Sequence, residues 1–436
     1  MKLLFQSSEA VASDKVQETA KKLVPYIETL HAIATHNTYD DAEASLNLPF
    51  DDELFAQMEV VLSKKVTSEL KYIFVVGIGG ANLGTKAIYD ALHGVSDVVN
   101  PVRPKMLFAD TNNATVLNSY INDVIPTINS KDEYLLVTSS KSGNTAETLA
   151  NTEILQAAFQ QKFSDSLDRI IVIADEESTY SELADDKGIA VLTIPNNVGG
   201  RYSVLSAVGM LPLAALGLDM VSLQKGAQDI RAYCLQSDVE NNPAAQSAAV
   251  LANSLKEGKT INDNFVFNGE LESLGKWYRQ LMGESIGKEK DNDGKVVNTG
   301  ITPTVSVGST DLHSVGQLYL GGPKDKITTF IYSTDQGNAL TVPTERTFPE
   351  VVEMINGKTT ADIMEAILGG VKIAYNKKQL PFMEIQLEGI TPYELGAFMQ
   401  FKMIEMMYLG KLLNVNPFDQ PNVESYKIET KKLLEA

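Results

Sequence analysis

Residues 139–148 read S-S-K-S-G-N-T-A-E-T, and six of the ten carry a hydroxyl or an ammonium. They follow a compact apolar run at 134–138 and precede a helical pattern at 146–163, so the stretch is expected to be a strand-to-helix turn. On these residues two readings stay open. A single hydroxyl suffices to cap a helix N-terminus. Equally, Ser140, Ser142, Thr145 and Thr148, with Lys141 and the free amides of a helix start, form a cradle for a phosphate dianion.

A second chemistry-bearing turn, G77-I-G-G-A-N-L-G84, follows a β-branched and aromatic run at 72–76. Its glycines let the backbone turn sharply and approach a ligand. The spacing excludes two common nucleotide loops. A dinucleotide fingerprint needs glycine at the sixth position, where Asn82 stands, and a Walker loop needs Gly-Lys-Ser/Thr, whereas Gly84 is followed by Thr85-Lys86. A third turn, P-N-N-V-G-G-R-Y-S at 195–203, puts Arg201 after Gly199 and Gly200. There a planar donor set stands beside backbone amides that a ligand can approach. In G283-E-S-I-G-K288, Glu284 stands among glycines and small residues at the end of a helical pattern.

The elements that must hold these turns alternate. Strands are expected at 72–76, 105–109, 134–138, 169–174 and 190–194, then at 265–267, 305–307 and 327–333, with helical patterns between them. That rhythm predicts an α/β protein with doubly wound, mainly parallel sheets between helices and ligands at the carboxyl ends of strands. At 436 residues the chain is long enough for two domains. We divide it into a helical segment at 1–70, a first α/β domain at 71–235, a second at 236–410 and a C-terminal segment at 411–436. Segment 290–299 reads as an exposed loop. The apolar helix expected at 391–412 carries Met399, Met403, Met406 and Met407, a composition typical of core or subunit interface.

Composition narrows the function classes. A formal charge of −19 disfavours nucleic acid and anionic membrane surfaces as partners. No apolar run approaches the ~20 residues of a membrane span, and the N-terminus turns polar too soon for a signal peptide. The single cysteine, Cys234, is expected to be a small buried hydrophobe and fits a cytoplasmic location. His31, His36, His93 and His313 show no metal-ligand spacing, so no metal site is expected.

Six motifs together resemble the glucose-6-phosphate isomerase (phosphoglucose isomerase) family: G77-I-G-G-A-N-L-G84, S139-S-K-S-G-N-T-A-E-T148, G199-G-R-Y-S203, G283-E-S-I-G-K288, S309-T-D-L-H-S-V-G-Q317 and N416-P-F-D-Q-P-N-V-E-S-Y-K427. They occur in the family's order over most of the chain. The resemblance implies two sugar isomerase (SIS) domains and reversible interconversion of D-glucose 6-phosphate and D-fructose 6-phosphate without cofactor. It implies a homodimer with shared active sites, the histidine coming from the partner. Carried over by position, the phosphate loop is Ser140, Lys141, Ser142, Thr145 and Thr148, and the proton-transfer glutamate is Glu284. The ring-opening pair is His313 and Lys427, Arg201 stabilises the anionic intermediate, and Gly80, Gly200 and Gln420 contact the sugar. Ala81 stands where the family usually has serine. That departure keeps a related activity on mannose 6-phosphate in view, and a non-catalytic SIS-type sugar-phosphate binding protein is the alternative from another class.

Overall fold

The computed structural model describes residues 1–94, 97, 104–335, 337 and 339–435. Its strands are β1 (Lys2–Leu4), β2 (Tyr72–Val76), β3 (Lys105–Ala109), β4 (Tyr134–Ser139), β5 (Ile170–Ala174), β6 (Ala190–Thr193), β7 (Ile261–Val266), β8 (Lys288–Lys290), β9 (Val296–Thr299), β10 (Thr302–Val307), β11 (Lys326–Ser333) and β12 (Phe382–Leu387). The fold is α/β, with mainly parallel sheets flanked by helices. Two compact units divide the chain. The first comprises Glu28–Ala232 and Leu395–Met403; the second comprises Met1–Ile27, Tyr233–Glu394 and Ile404–Ala436.

In the first unit the sheet order is β3-β2-β4-β5-β6, parallel throughout. Numbered along the unit, that order is 2-1-3-4-5. Every residue of β4 and β5 is buried, which is why both read as near-continuous apolar runs. One face packs around Phe74, Leu136 and Phe159, with Phe159 stacked on Tyr134 at 3.8 Å between ring centroids.

The second unit repeats the logic in the order β1-β12-β11-β7-β10. β7, β10, β11 and β12 are parallel and reproduce the 2-1-3-4 arrangement, while β1 closes the edge antiparallel to β12. Its core is an aromatic cluster of Phe265, Phe267, Phe330, Tyr375 and Phe382.

This unit contains what the sequence hid. β7 begins four residues before the apolar stretch at 265–267, because Asn262, Asp263 and Asn264 are fully buried inside it. Asn262 donates to Thr329 Oγ1 at 2.9 Å, and Asp263 Oδ1 accepts from Thr304 Oγ1 at 2.6 Å, Ser306 Oγ at 3.0 Å and Tyr319 OH at 3.1 Å. Burial raises the Asp263 pKa, opposed by these bonds. β12 is likewise interrupted by a buried carboxylate, Glu384, which accepts from Tyr332 OH at 2.8 Å and Lys372 Nζ at 3.0 Å. The helix before it, Thr360–Lys377, starts at a capping box between Thr359 and Asp362. β1 is too short for strand alternation to show. The segment expected to be an exposed loop at 290–299 instead contributes to the β8–β9 hairpin, whose strands pair antiparallel.

The helix Pro392–Leu413 buries Met399, Met403, Met406 and Met407 completely. Cys234 is also fully buried, and burial pushes its thiol pKa up, as expected of an inert core residue.

Candidate active site

In a parallel sheet of order 2-1-3-4-5, the connections after the first and third strands leave in opposite directions and open a crevice at their carboxyl ends. In the first unit those strands are β2 and β4, followed by the turns at 77–84 and 139–148. The turns lie together. A Cβ built on Gly77 would sit 3.2 Å from the Ser139 carbonyl oxygen. One built on Gly80 would sit 2.1 Å from the Gly200 carbonyl carbon and 2.6 Å from the Arg201 nitrogen, so only glycine lets these two backbones meet. Turn 77–84 is thereby held against turn 195–203, which follows β6.

Lys141 clasps two of the turns. Its Nζ donates to the carbonyls of Asn196 at 2.5 Å and Val198 at 3.0 Å, and burial lowers its pKa against the opposing pull of Asp175. Arg201 is buried on the single 3-10 turn Gly200–Tyr202, its guanidinium 5.4 Å from the Tyr202 ring centroid. A cation held away from water presents fixed donors.

The hydroxyls around this helix start bond mainly to side chains of the same turn. Thr145 occupies the N-cap of the helix Ala146–Lys162, yet its side chain does not cap it; Ser140 Oγ donates to Thr145 Oγ1 at 3.0 Å, and the exposed Ser142 donates to Asn144 Oδ1 at 2.6 Å. Thr148 is 1% exposed, and its hydroxyl has no hydrogen-bond partner among the described residues. The same holds for the Ser139 hydroxyl and for both ends of the buried Asn82 amide. Buried polar groups without partners are rare in folded proteins. Here they fall at or next to the turns that follow β2 and β4, close to a helix start whose N-cap side chain does not cap it.

In the second unit the helix Glu272–Ile286 runs back along β10. Cβ atoms built on its successive glycines would meet Val305 from Gly275, at 2.8 Å, and Pro303 from Gly283, at 4.0 Å. Glu284 therefore lies by the amino end of β10. Its Oε1 accepts from Gln280 Nε2 at 3.1 Å. Gln280 was not singled out from sequence, although its position one helical turn before Glu284 puts both on one face. Neither were Asn82 and Lys288, whose burial only the fold reveals.

His313 lies beyond the opposite end of the same strand, exposed, on a turn where the Val307 amide donates to Asp311 Oδ2 at 2.7 Å and Ser314 Oγ to Asp311 Oδ1 at 2.7 Å. Strand residues 303–307 alone span roughly 13 Å. Gln420 is exposed before the short turn Pro421–Val423, and Lys427, on the exposed helix Glu424–Glu435, donates to Glu424 Oε1 at 2.7 Å. The second unit thus joins Glu284 to Gln280 and holds His313 at the other end of β10. Among the described residues no group of three or more His, Cys, Asp or Glu is placed to hold a metal, and no helix is long and apolar enough to cross a membrane.

Two doubly wound units of this strand order, with unsatisfied hydroxyls at a switch point of one and a carboxylate on a helix end of the other, are the architecture expected of a two-domain SIS fold. Comparison with known proteins makes the class particular. The Phosphoglucose isomerase family profile matches residues 61–436. The chain is 32% identical over 399 residues to a glucose-6-phosphate isomerase of Carboxydothermus hydrogenoformans, covering 89% of this chain and 84% of that protein. It is also 32% identical over 413 residues to one of Exiguobacterium sibiricum, covering 92% and 89% respectively. Among solved structures, a hypothetical protein from Thermus thermophilus superposes with a TM-score of 0.86 at 26% identity, covering 100% of both chains. A glucose-6-phosphate isomerase from Chlamydia trachomatis shares the fold, with a TM-score of 0.79 at 20% identity over 96% of this chain and 85% of that one. The chain belongs to the phosphoglucose isomerase family.

Proposed function

We propose that the chain interconverts D-glucose 6-phosphate and D-fructose 6-phosphate through an open-chain enediol, with no metal or organic cofactor. The observation that carries this reading is the uncapped helix start at 146 with the unpartnered hydroxyls of Thr148 and Ser139 beside it. Those groups, with Ser140, Ser142 and Thr145, take the unreactive phosphate, while Lys141 holds the turn that presents them. Binding there positions C1 and C2 for reaction. Gly80, Gly200 and Gln420 contact the sugar.

Glu284 is the base. It takes the C2 proton of the open aldose and returns it to C1, as the hydroxyl proton moves from O2 to O1; the carboxylate ends as it began. Arg201 stabilises the negative charge that develops on the enediolate oxygens. His313 and Lys427 open the ring by acid–base catalysis. Because His313 and Glu284 flank opposite ends of β10, we assign the histidine of each site to the partner subunit of a homodimer. The substrate and the lone buried cysteine fit a cytoplasmic enzyme.

The test is Glu284→Gln assayed in deuterium oxide. Loss of deuterium incorporation at C2, with turnover down about 10⁴-fold, is expected while fructose 6-phosphate still binds. Undiminished incorporation would remove Glu284 from the mechanism, and tight binding without turnover by the unmodified protein would make it a sensor.

A further inference from the structure

Two residues after Glu284 the helix ends, and Lys288, the first residue of β8, turns back toward it. The Lys288 side chain is only 5% exposed. Its Nζ donates to the Glu284 carbonyl at 2.9 Å, to Asp419 Oδ1 at 2.8 Å and to the Asp419 carbonyl. An ammonium has three protons, and these three acceptors use them all. The Glu284 carbonyl is one of the last-turn acceptors that a helix cannot satisfy internally, so the side chain stands in for the missing amide four residues on. Asp419 immediately precedes Gln420. One buried cation therefore ties the backbone of the base to the backbone beside a sugar-contacting residue.

Further contacts repeat the connection farther out. The Asn292 amide donates to the Asn414 carbonyl at 2.8 Å, Asn414 Nδ2 to Asp293 Oδ2 at 2.8 Å and Asn422 Nδ2 to Glu289 Oε2 at 2.9 Å. All three are exposed and contribute little to stability individually. Lys288 differs because a buried cation is costly unless fully bonded, and here it is. The Asp419 carboxylate is half exposed, so the two carbonyls, rather than the ion pair, explain the burial.

We propose that Lys288 is a positioning residue for the isomerisation, the pin by which the β8–β9 hairpin holds the end of the Glu284 helix and the segment 416–427 in one register. The proposal rests on the assignment of Glu284 as the base. Arginine cannot replace it, since a planar fork does not reproduce three converging bonds from one nitrogen.

Lys288→Met, Lys288→Arg, Asp419→Asn and Glu284→Gln are purified and compared for thermal melting, for kcat and KM per folded site, and for C2 proton exchange. Lys288→Met is expected to lose about 100-fold in kcat/KM with kcat itself reduced, the size of effect that a misplacement of about 1 Å produces. Lys288→Arg is not expected to rescue it, whereas Asp419→Asn, which leaves both carbonyl bonds, loses only about 3- to 10-fold without a change in melting. A folded Lys288→Met enzyme with unchanged kcat and exchange overturns the proposal. If Lys288→Met does not fold, Lys288→Arg decides: a kinetic loss at native melting supports the pin, and full activity overturns it. Glu284→Gln separates the two ideas, because retained exchange in that variant removes the base assignment whatever Lys288 does.

Discussion

In the first unit the side chains suited to bind an anion sit on turns leaving the carboxyl ends of β2, β4 and β6. In the second, whose β7, β10, β11 and β12 repeat that strand order, Glu284 sits on the last turn of a returning helix by the amino end of β10, and His313 follows its carboxyl end. The switch-point rule points to the turns of the first unit and not to Glu284. Topology says where a crevice opens, but a helix of fifteen residues carries its final turn back to the other edge of the sheet. Two units of one fold can thus carry chemically different side chains at different places on their sheets.

The strongest way to break this comparison is to ask whether the two ends of β10 serve one site or two. Glu284→Gln and His313→Ala are each expected to be nearly inactive alone. Refolded together in equal amounts, they should recover about a quarter of the unmodified activity, because half the dimers are mixed and each mixed dimer holds one complete site. No recovery, with mixed dimers demonstrated by mass, would place both residues in a single subunit's site.

Next in size is the backbone approach in the first unit. Gly80→Ala puts a methyl 2.1 Å from the Gly200 carbonyl carbon, with no flexible side chain to yield. A loss of about 3 kcal/mol in stability is expected, read from denaturant unfolding, together with weakened substrate binding. Native stability in that variant would show that turns 77–84 and 195–203 are not locked together.

The smallest effect sharpens the comparison most. Thr148→Val preserves shape and removes a hydroxyl that has no protein partner among the described residues. If the hydroxyl serves only the ligand, melting should stay unchanged or rise slightly, while KM increases about 10-fold and kcat holds. A fall in stability with unchanged KM would return the turn to a purely structural role.

Much of this was legible in the chain itself. The strands of the first unit announce themselves because a parallel sheet buried on both faces needs unbroken apolar runs, and β2 and β3 fall where the periodicity puts them. The motifs at 77–84, 139–148 and 199–203 and the glutamate at 284 stand out by residue type and order, and with them the family. Tertiary structure decided the rest. It alone shows that β7 starts at Ile261, four residues before the apolar stretch, since nothing in the pattern Asn262-Asp263-Asn264 announces that these side chains are buried and bonded to Thr329 and Thr304. It alone shows how this helix start is capped, because capping is a matter of which hydroxyl bonds which amide, and here the N-cap residue Thr145 makes no such bond with its side chain. Lys288 appears in the sequence only as the end of the motif at 283–288; its three acceptors come from positions 284 and 419, and only folding brings them to one nitrogen. Local pattern records what each residue prefers, whereas bonds between distant segments exist only once the chain has closed on itself.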